Sequence, residues 1–378
     1  MNFKRLRYVD KWFLLALMAI CAVGLVVLAS AGSSISSDPN YYVKRQAIWF
    51  GMGFVVAAIA MFFDYKQLER LGRICYGLTI FLLLSVLIFG HELRGTTGWV
   101  KIGPLPLFQP AEFTKILMVI ALADFLNRRR EHLSTLKELI IPMVYAGVPF
   151  VLIMAQPDLG TALVYIAITL AMLFIVGANA KLLLKLIAAG VLSVSLLLFL
   201  HFQFDFPIPM SDYQIKRLVV FVDPYNDGMG GRANGWNTIQ SLIAVGSGGL
   251  WGKGLYNGTQ VQLNFLPEHH TDFIYAVIGE ELGFVGATAV LILFLVLLSR
   301  ILFIGIEAQD RFGTLLVIGV SAIWIFHIFE NVGMSIGLMP ITGIPLPFLS
   351  YGGSSSLTNF IGVGLILSVN IRGKKIVF

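Results

Sequence analysis

Residues 266–283 read LPEHHTDFIYAVIGEELG and pass directly into an apolar run that continues to Leu298. The run Asp272–Leu298 is long enough to cross the hydrocarbon core of a bilayer. A carboxylate at the start of such a run is costly unless it is paired, solvated or chemically active. This stretch therefore predicts a membrane protein with acidic and imidazole side chains gathered at one membrane surface.

The composition of the whole chain agrees with a membrane protein. Hydrophobic residues make up 57% of the 378 residues, charged residues make up 13%, and the mean hydropathy is +0.83. A soluble domain carries roughly 25% charged residues. The apolar spans are Trp12–Ala31, Ala47–Asp64, Ile74–Gly90, Glu112–Phe125, Leu139–Ala155, Thr161–Val176, Leu182–Phe204, Asp272–Leu298, Phe312–Ile336 and Ser354–Val369. We predict an all-α polytopic membrane protein in which residues 1–378 form one domain with about ten transmembrane helices.

Lysine and arginine residues in the short connections predict the orientation. If every apolar span crosses, one side holds Lys4, Arg5, Arg7, Lys11, Lys66, Arg70, Arg73, Arg128, Arg129, Arg130, Lys137, Lys181, Lys185, Arg300, Arg311, Arg372, Lys374 and Lys375. The other side holds chiefly Lys44, Arg45, Arg94, Lys101, Lys216, Arg217, Arg232 and Lys253. The positive-inside rule then makes both termini cytoplasmic. The net charge of +6 follows mainly from this topology and secondarily favours contact with anionic membrane lipids, and its spread over loop ends argues against nucleic-acid binding.

The first span has a second interpretation. A basic start, an apolar run and Ala29-Ser30-Ala31 also resemble a cleaved secretion signal, but the apolar run is long for a signal and fits a retained helix. Cys21 and Cys75 lie inside or beside apolar spans, which favours neither a disulfide framework nor a thiol metal site.

The loop between the seventh and eighth spans, residues 205–271, is unusually long, and long loops in compact proteins are functional or disordered. It contains Trp236, Trp251 and an apolar pattern of helical spacing over Asn237–Val245. We predict an ordered extracytoplasmic cap with a short helix lying on the membrane surface. Its glycine pairs, as in Gly228-Met229-Gly230-Gly231, either form ordinary turns or cradle a phosphate through backbone N–H groups.

Two further loops, Arg94–Ala111 and Met339–Ser355, are expected on the same side. The second contains three prolines and three glycines in 340–353. Irregular backbone at membrane depth is tolerated where it is buried in protein or lines a watery cavity. We therefore expect both loops beside a polar cavity.

Several polar residues within the spans have both structural and functional interpretations. Glu112 and Lys115 stand three residues apart on one helical face and either neutralise each other or line the cavity. Asp158 caps the next helix or faces the cavity. His327, Glu330 and Asn331 form a patch for which a structural role is favoured. Glu280 and Glu281 lie roughly 12 Å along the helix from Asp272 and are expected to pair with polar groups between helices.

Asp272 differs because it opens a span beneath the glycine-rich cap, where a carboxylate meets water and lipid headgroups. It is either a helix cap or a general base. The adjacent His269 and His270 point in different directions and do not form a metal pair by themselves.

The motifs together resemble the SEDS family, named for shape, elongation, division and sporulation. The resemblance covers nearly the whole chain and is carried by Gln109-Pro110-Ala111-Glu112, Gln156-Pro157-Asp158-Leu159-Gly160-Thr161, Gly246–Gly254, Leu266–Ile274 and Pro340–Ser355. The run Gly258-Thr259-Gln260 resembles the elongation members more than the division members. One departure is Gly98 before Trp99, where many relatives carry an arginine; Arg94 is a possible substitute.

The resemblance implies a peptidoglycan glycosyltransferase that polymerises lipid II at the outer face of the bacterial cytoplasmic membrane. Asp272 would act as general base and undecaprenyl pyrophosphate would leave. The expected substrate-binding residues are Glu112, Lys115, Asp158, Arg217, Lys253, Glu268, His270 and Ser350. A divalent cation, Mg or Mn, and a class B penicillin-binding protein are expected as cofactor and partner.

Two other functions remain open from the residues. The same polar cavity would suit a flippase that moves lipid II across the bilayer, or the protein would be a scaffold of the elongation machinery. A polymerase depends on one external carboxylate, whereas a flippase and a scaffold do not.

Overall fold

The structure, a computed structural model, describes residues 8–35, 38–93, 96–100, 108–129, 135–208, 210–233 and 235–373. In these ranges the elements are α1 (Lys11–Ser33), α2 (Tyr41–Phe62), α3 (Tyr65–Phe89), β1 (His91–Leu93), β2 (Thr96–Trp99), α4 (Pro110–Arg128), α5 (Leu136–Met154), α6 (Leu159–Val176), α7 (Ala180–Phe204), α8 (Asp212–Val222), α9 (Trp236–Ser247), α10 (Thr259–Gln262), α11 (Ile274–Ile306), α12 (Arg311–Ser335) and α13 (Gly353–Gly373). Arg94 lies outside the described residues.

The prediction of an all-α polytopic membrane protein is confirmed. Each of the ten predicted spans coincides with a helix, and nine helices in the described ranges are long and apolar enough to cross a membrane. The tenth, α4, has the required length but contains Glu112, Lys115 and Asp124. These three charges are tolerated because they and most of the other side chains of α4 are buried inside the bundle.

The helix bundle is built around α4, α12 and α13, which are mostly buried. Small residues let neighbouring helices approach closely, as is usual in membrane bundles. A Cβ atom placed on Gly364 of α13 would lie 2.5 Å from Ala60 Cβ and 2.5 Å from Ala57 O of α2. By contrast, α7 lies at the periphery, and Leu183 is its one buried residue.

The first span packs within the bundle. Phe13, Leu17 and Leu28 are completely buried, and α1 packs mainly against α11. At its N-terminal end, Asp10 caps α1 and accepts a hydrogen bond from Arg300 Nε of α11 at 3.0 Å.

The cap, residues 205–271, contains more helix than the sequence predicted. A helix, α9, is present where the sequence predicted one, and Ser241 in it donates to Ser335 O of α12 at 2.8 Å. Its position on the membrane surface stays a prediction. The helices α8 and α10 were not predicted, nor was the β1–β2 hairpin between α3 and α4, which contains Gly98.

The glycine turn Gly228–Gly231 lies around a carboxylate of the chain itself. Asp227 accepts four backbone N–H bonds at 2.7–3.1 Å, from Met229, Gly231, Ala233 and Gly235. These N–H groups form the kind of concave nest that binds anions. Since Asp227 occupies this nest, the structure favours the turn interpretation of these glycines over the phosphate cradle.

The helix α11 is broken at Gly283, whose φ of 66° and ψ of −168° are not helical. The glycine-rich segment Gly248–Gly254, which we call the strap, hydrogen-bonds across the break. Lys253 N and Gly254 N donate to the carbonyls of Glu280 and Glu281 at 3.0 and 2.9 Å, while Phe284 N and Val285 N donate to Gly249 O and Leu250 O at 2.9 and 3.1 Å. The strap thus replaces helical hydrogen bonds that the break removes.

Candidate functional site

Asp272 lies in a tight turn immediately before α11. Glu268 has a left-handed φ of 54°, and its carbonyl accepts bonds from the backbone N–H groups of Thr271, Asp272 and Phe273 at 3.0–3.2 Å. The N-cap residue of α11 is Phe273, which makes no side-chain capping bond. The structure therefore does not use Asp272 as the helix cap, and its side chain is partly exposed to solvent.

Two side chains from other elements fix the backbone on both sides of that carboxylate. Asn331 Nδ2 of α12 donates to Asp272 O at 2.7 Å, and Ser350 Oγ donates to Thr271 O at 2.5 Å. Both donors are buried. Ser350, predicted as a substrate-binding residue, is thus a positioning group for the turn that carries Asp272.

The loop that follows α12 forms a wall of the site. Gly343 has φ 76°, and a Cβ atom placed on it would lie 3.3 Å from Asp272 Oδ2. A larger residue at this position would therefore press against the carboxylate and adopt an unfavourable backbone conformation. Because Gly343 has no side chain, space remains beside the Asp272 carboxylate.

The patch His327, Glu330 and Asn331 holds this loop in place. Thr342 Oγ1 donates to Glu330 Oε1 at 2.8 Å, His327 Nδ1 contacts Pro345 O at 3.1 Å, and Asn331 Nδ2 donates to Ile344 O at 2.8 Å. These side chains recur at i, i+3 and i+4 and share one face of α12. The structural role favoured from the sequence is what these contacts provide.

Glu112 and Lys115 form a buried ion pair on α4. Lys115 Nζ lies 2.7 Å from Glu112 Oε1 and 3.1 Å from His327 Nε2. The pair neutralises itself, as one interpretation from the sequence held, and it also joins the polar interior shared with α12. That the pair lines a cavity stays a prediction. This interior continues to the loop beside Asp272 through the two ring nitrogens of His327.

Asp158 caps α6, accepting bonds from Thr161 N at 2.9 Å and Thr161 Oγ1 at 2.8 Å. The N-terminus of α6 abuts the proline loop, since a Cβ atom on Gly160 would lie 2.9 Å from Ile344 Cγ1 and 3.2 Å from Thr342 O. The positive end of the α6 dipole therefore lies beside the loop that contains Gly343.

Two aromatic rings surround His270. Its ring centroid lies 4.6 Å from that of Tyr42 and 6.0 Å from that of Tyr351, and its carbonyl accepts from Tyr351 N at 3.0 Å. The ring nitrogens of His269 contact Leu266 O and Ala31 O at 2.6 and 2.9 Å. His270 therefore lies at the edge of the site, whereas His269 ties the turn to α1.

The two predicted cap cations engage partners of their own. Lys253 Nζ lies 2.7 Å from Glu280 Oε1 and donates to Thr259 Oγ1 at 2.8 Å. Arg217 of α8 donates to the Tyr213 hydroxyl and lies over its ring, 4.3 Å from the centroid. No contact of the described residues joins either cation directly to Asp272.

The two adjacent glutamates of α11 are both buried and hydrogen-bonded, and the predicted pairing between transmembrane helices holds for Glu281 alone. Glu281 Oε1 accepts from Ser30 Oγ of α1 at 2.6 Å. Glu280 Oε1 accepts from Lys253, Thr259 and Gln260 N at 2.7–3.1 Å. The partner of Glu281 is on a neighbouring helix, but the partners of Glu280 lie in the cap.

Sequence reasoning missed the contacts that position Asp272. Asn331 was recognised as part of a polar patch, but its bond to the Asp272 carbonyl joins residues far apart in the chain. Tyr42 gave no signal because it opens α2 among other aromatic and basic residues. Gly343 was counted among the glycines of its loop, and glycine is the residue type that most readily adopts the positive φ found there. Its position beside Asp272 was not predicted.

The described residues do not form a protein cage for a metal ion. No group of three or more histidine, cysteine, aspartate or glutamate side chains in these ranges could hold one. The site instead offers the partly exposed carboxylate of Asp272 on a fixed backbone, beside a buried, ion-paired interior. Such a carboxylate can accept a proton from a hydroxyl group held next to it.

Comparisons with known proteins agree with this architecture. The sequence model of the FtsW/RodA/SpoVE cell cycle proteins matches residues 10–375. Peptidoglycan glycosyltransferase MrdB of Escherichia coli K12 is 36% identical over 369 residues, covering 98% of this chain and 95% of the relative. A probable peptidoglycan glycosyltransferase FtsW of Trichlorobacter lovleyi is 35% identical over 373 residues, covering 97% and 94%. A chain from a solved peptidoglycan synthase complex, described as coordinating polymerization and crosslinking, superposes with a TM-score of 0.80 at 29% identity, covering 97% and 98%.

Proposed function

The chain belongs to the FtsW/RodA/SpoVE family of cell cycle proteins, and from this membership and the geometry around Asp272 we propose that it is a peptidoglycan glycosyltransferase. Its substrate is lipid II, which it joins into glycan strands. Relatives over almost the full length of the chain carry the name of this activity.

Asp272 is the general base. Its carboxylate takes the proton from the 4-hydroxyl of the acceptor N-acetylglucosamine as the hydroxyl oxygen bonds to the anomeric carbon of the donor N-acetylmuramic acid. The bond between that carbon and the pyrophosphate oxygen breaks, and undecaprenyl pyrophosphate leaves with the electron pair. One carboxylate suffices because a pyrophosphate needs no proton to leave.

The observation that carries this proposal is the way Asp272 is held. Asn331 and Ser350 fix the backbone on its two sides, while the side chain is partly exposed and is not used as the N-cap of α11. A base must be held within hydrogen-bond reach of the proton that it removes. A carboxylate needed only for capping would not require this support.

The predicted binding residues take different tasks. Glu268 and His270 lie in or beside the Asp272 turn and contact the sugars. Asp158 caps α6, whose N-terminus lies beside the loop that contains Gly343. Ser350 positions the Asp272 turn. Glu112 and Lys115 hold the polar interior. Lys253 and Arg217 face the pyrophosphate only if their present pairings rearrange, because both are engaged within the cap.

A divalent cation, Mg or Mn, is part of the proposal as a counter-ion of the pyrophosphate. The described side chains offer no cage of three or more ligands for it. A magnesium ion commonly takes one or two carboxylates and completes its shell with phosphate oxygens and water. The cation would therefore enter with the substrate.

The orientation follows from the charge pattern, with both termini in the cytoplasm and Asp272 at the extracytoplasmic surface of the cytoplasmic membrane. The partner is a class B penicillin-binding protein, which supplies the crosslinking step. The related solved chain comes from a complex described in terms of polymerization and crosslinking, which supports this choice. The identities to the MrdB and FtsW relatives are nearly equal, 36% and 35%, so overall identity does not decide between elongation and division. We place the protein in cell elongation because its Gly258-Thr259-Gln260 run resembles the elongation members.

The alternative functions are a lipid II flippase and a scaffold of the elongation machinery. The buried Glu112–Lys115–His327 contacts would supply a polar path for a flippase, but a path through the bundle gives no reason for the fixed carboxylate at its outer end. A scaffold would require neither the polar path nor the fixed carboxylate.

The test is polymerisation of lipid II by the purified protein with its class B partner and a divalent cation. Asp272→Asn removes the base and keeps the shape of the side chain, so we expect glycan chains to fall by about 100-fold or more on a gel. The matched control is Asp38→Asn, an acid-to-amide change in an exposed ion pair with Lys44, which should polymerise like the wild type.

Polymer formation by Asp272→Asn at the wild-type rate would show that another group is the base. If wild type and Asp38→Asn are both inactive with an active partner, the polymerase assignment fails. Transport of lipid II in vesicles would then test the flippase directly.

A further inference from the structure

Two large apolar side chains of the strap are strongly exposed. Leu250 is 65% exposed and Trp251 is 79% exposed, although the strap backbone is hydrogen-bonded into the break of α11. The hydrogen-bonded backbone of the strap thus holds a tryptophan and a leucine on the surface, and exposed apolar patches of this kind indicate contact with a membrane or another protein.

The strap is continuous with the exposed apolar side of α11. Val285 N donates to Leu250 O at 3.1 Å, which places the strap directly beside the start of the transmembrane part of the helix. Below it, exposed residues recur at helical spacing down one side of α11: Phe284, Ile292, Leu295, Phe303 and Ile306 are 65%, 54%, 66%, 53% and 78% exposed. A continuous apolar stripe of this kind on a membrane-spanning helix is suited to contact with acyl chains.

Two polar contacts between α1 and α11 are separated by about the thickness of a hydrocarbon layer. Asp10 meets Arg300 at one end, and Ser30 Oγ meets Glu281 Oε1 at the other. The rise from Asp10 to Ser30 along α1 is about 30 Å, which equals the typical hydrocarbon thickness of about 30 Å. The strap, whose Lys253 and Gly254 bond to residues 280 and 281, therefore lies at the outer boundary of that layer.

We propose that the strap is a lipid anchor, in which Leu250 and Trp251 insert into the boundary between headgroups and acyl chains of the outer leaflet. Tryptophan prefers this boundary because its ring is apolar while its indole N–H can meet water and headgroups. We take phospholipid as the occupant of this surface, because Trp251 lies at the boundary of the hydrocarbon layer and the strap adjoins the exposed apolar stripe of α11.

The anchor has a consequence for the shape of the site. The strap holds together the two parts of α11, and the part before Gly283 begins two residues after Asp272. Lipid contact at Trp251 thereby sets the height of the Asp272 turn above the bilayer. This inference does not depend on which reaction takes place at Asp272.

The test is quenching of tryptophan fluorescence in the full-length protein in phosphatidylcholine vesicles brominated at acyl positions 6,7 or 11,12. The contribution of Trp251 is the difference between the wild type and Trp251→Phe. We expect it to fall at least about twofold with the 6,7-brominated lipid and less with the 11,12-brominated lipid, as befits a boundary side chain. Trp12→Phe provides a matched control, because Trp12 is 65% exposed beside the Asp10 end of α1.

Stronger quenching of the Trp251 contribution by aqueous iodide than by either brominated lipid would overturn the proposal and place the strap in water. Protection from lipid and iodide alike would also overturn it, because a second protein surface would then cover Trp251. Both variants change exposed side chains, and gel filtration in detergent checks that they remain folded.

Discussion

Asp227 and Asp272 both lie in the region predicted to be extracytoplasmic, yet their surroundings give the two carboxylates opposite tasks. Asp227 accepts four backbone N–H bonds from its own loop, so its oxygens are committed to holding the cap. At Asp272 it is the backbone that is held, through Asn331 at its carbonyl and the Glu268 carbonyl at its N–H. Residue type alone does not distinguish the two aspartates, because the tertiary structure determines which hydrogen-bond donors surround each of them.

The Asp227 nest gives a pH dependence of the cap. Desolvation is the largest single influence on its pKa and raises it, but the four N–H bonds together outweigh desolvation and lower the pKa to about 2. An unfolded aspartate has a pKa of about 3.9. The stabilisation is therefore complete above that value and is lost as the pH falls toward 2. Hydrogen exchange at Met229, Gly231, Ala233 and Gly235, corrected for the intrinsic rate, should lose protection in this window.

Asp227→Asn should reduce the same protection at neutral pH by roughly fivefold or more, because an amide has one acceptor oxygen where the carboxylate has two. Asp223→Asn is the matched control, since Asp223 accepts a single N–H bond, from Tyr225 at 3.0 Å. Equal exchange in the two variants would contradict the nest as the source of cap order.

The element α11 shows what helical periodicity can and cannot predict. Its existence followed from apolar length, as it did for the other nine spans, because a membrane helix satisfies its hydrogen bonds within itself. The break at Gly283 did not follow, since both sides of it are apolar and the compensating bonds come from the strap some thirty residues earlier. The same reason explains the missed α8, α10 and β1–β2 hairpin, which are short and depend on tertiary contacts.

Gly283 is the residue on which this break depends. Its φ of 66° and ψ of −168° lie in a region essentially reserved for glycine, and an added Cβ would lie 2.2 Å from Gly252 N. We expect Gly283→Ala to destabilise the protein by about 2 kcal/mol or more and to expose Lys253 in the displaced strap to trypsin. Thermal unfolding in detergent and limited proteolysis measure the two effects.

Gly77→Ala in α3 serves as the control, because nothing lies within 4 Å of the added methyl group. Unfolding temperatures that match between the two variants, with no new cleavage at Lys253, would mean that α11 accommodates a regular helix at residue 283.

The whole molecule has two unlike faces. On the face predicted to be cytoplasmic, side chains join the ends of neighbouring helices: Tyr65 Oη donates to Asp310 Oδ2 at 2.5 Å, and Arg372 donates to Met61 O at 3.0 Å. On the opposite face lie the cap, the strap and the Asp272 turn. The alternation of the predicted spans was sufficient to divide the loops between two faces, and the charge bias predicts which of these faces is cytoplasmic. The grouping of Asp272, Asn331 and Gly343 required the packed structure.

The orientation is open to a direct test with single cysteines. Cys21 and Cys75 are buried, so the background of labelling should be low. A membrane-impermeant maleimide added to intact spheroplasts should label Pro39→Cys between α1 and α2 and leave Gln309→Cys between α11 and α12 unlabelled. Both positions are exposed, so lysis should make both reactive. The reverse pattern would invert the topology and place Asp272 in the cytoplasm.

The peripheral position of α7 bears on how freely its sequence can change. Leu183 is its one buried side chain. Most residues of α7 are therefore constrained by the need to be apolar among acyl chains and not by the shapes of neighbouring side chains. Exchanges among leucine, isoleucine, valine and phenylalanine there preserve what the membrane requires. In α12, where Leu315, Val317 and Val320 are completely buried, the same exchanges would meet fixed neighbours. Two helices of nearly equal length and apolarity therefore place very different amounts of information in their sequences.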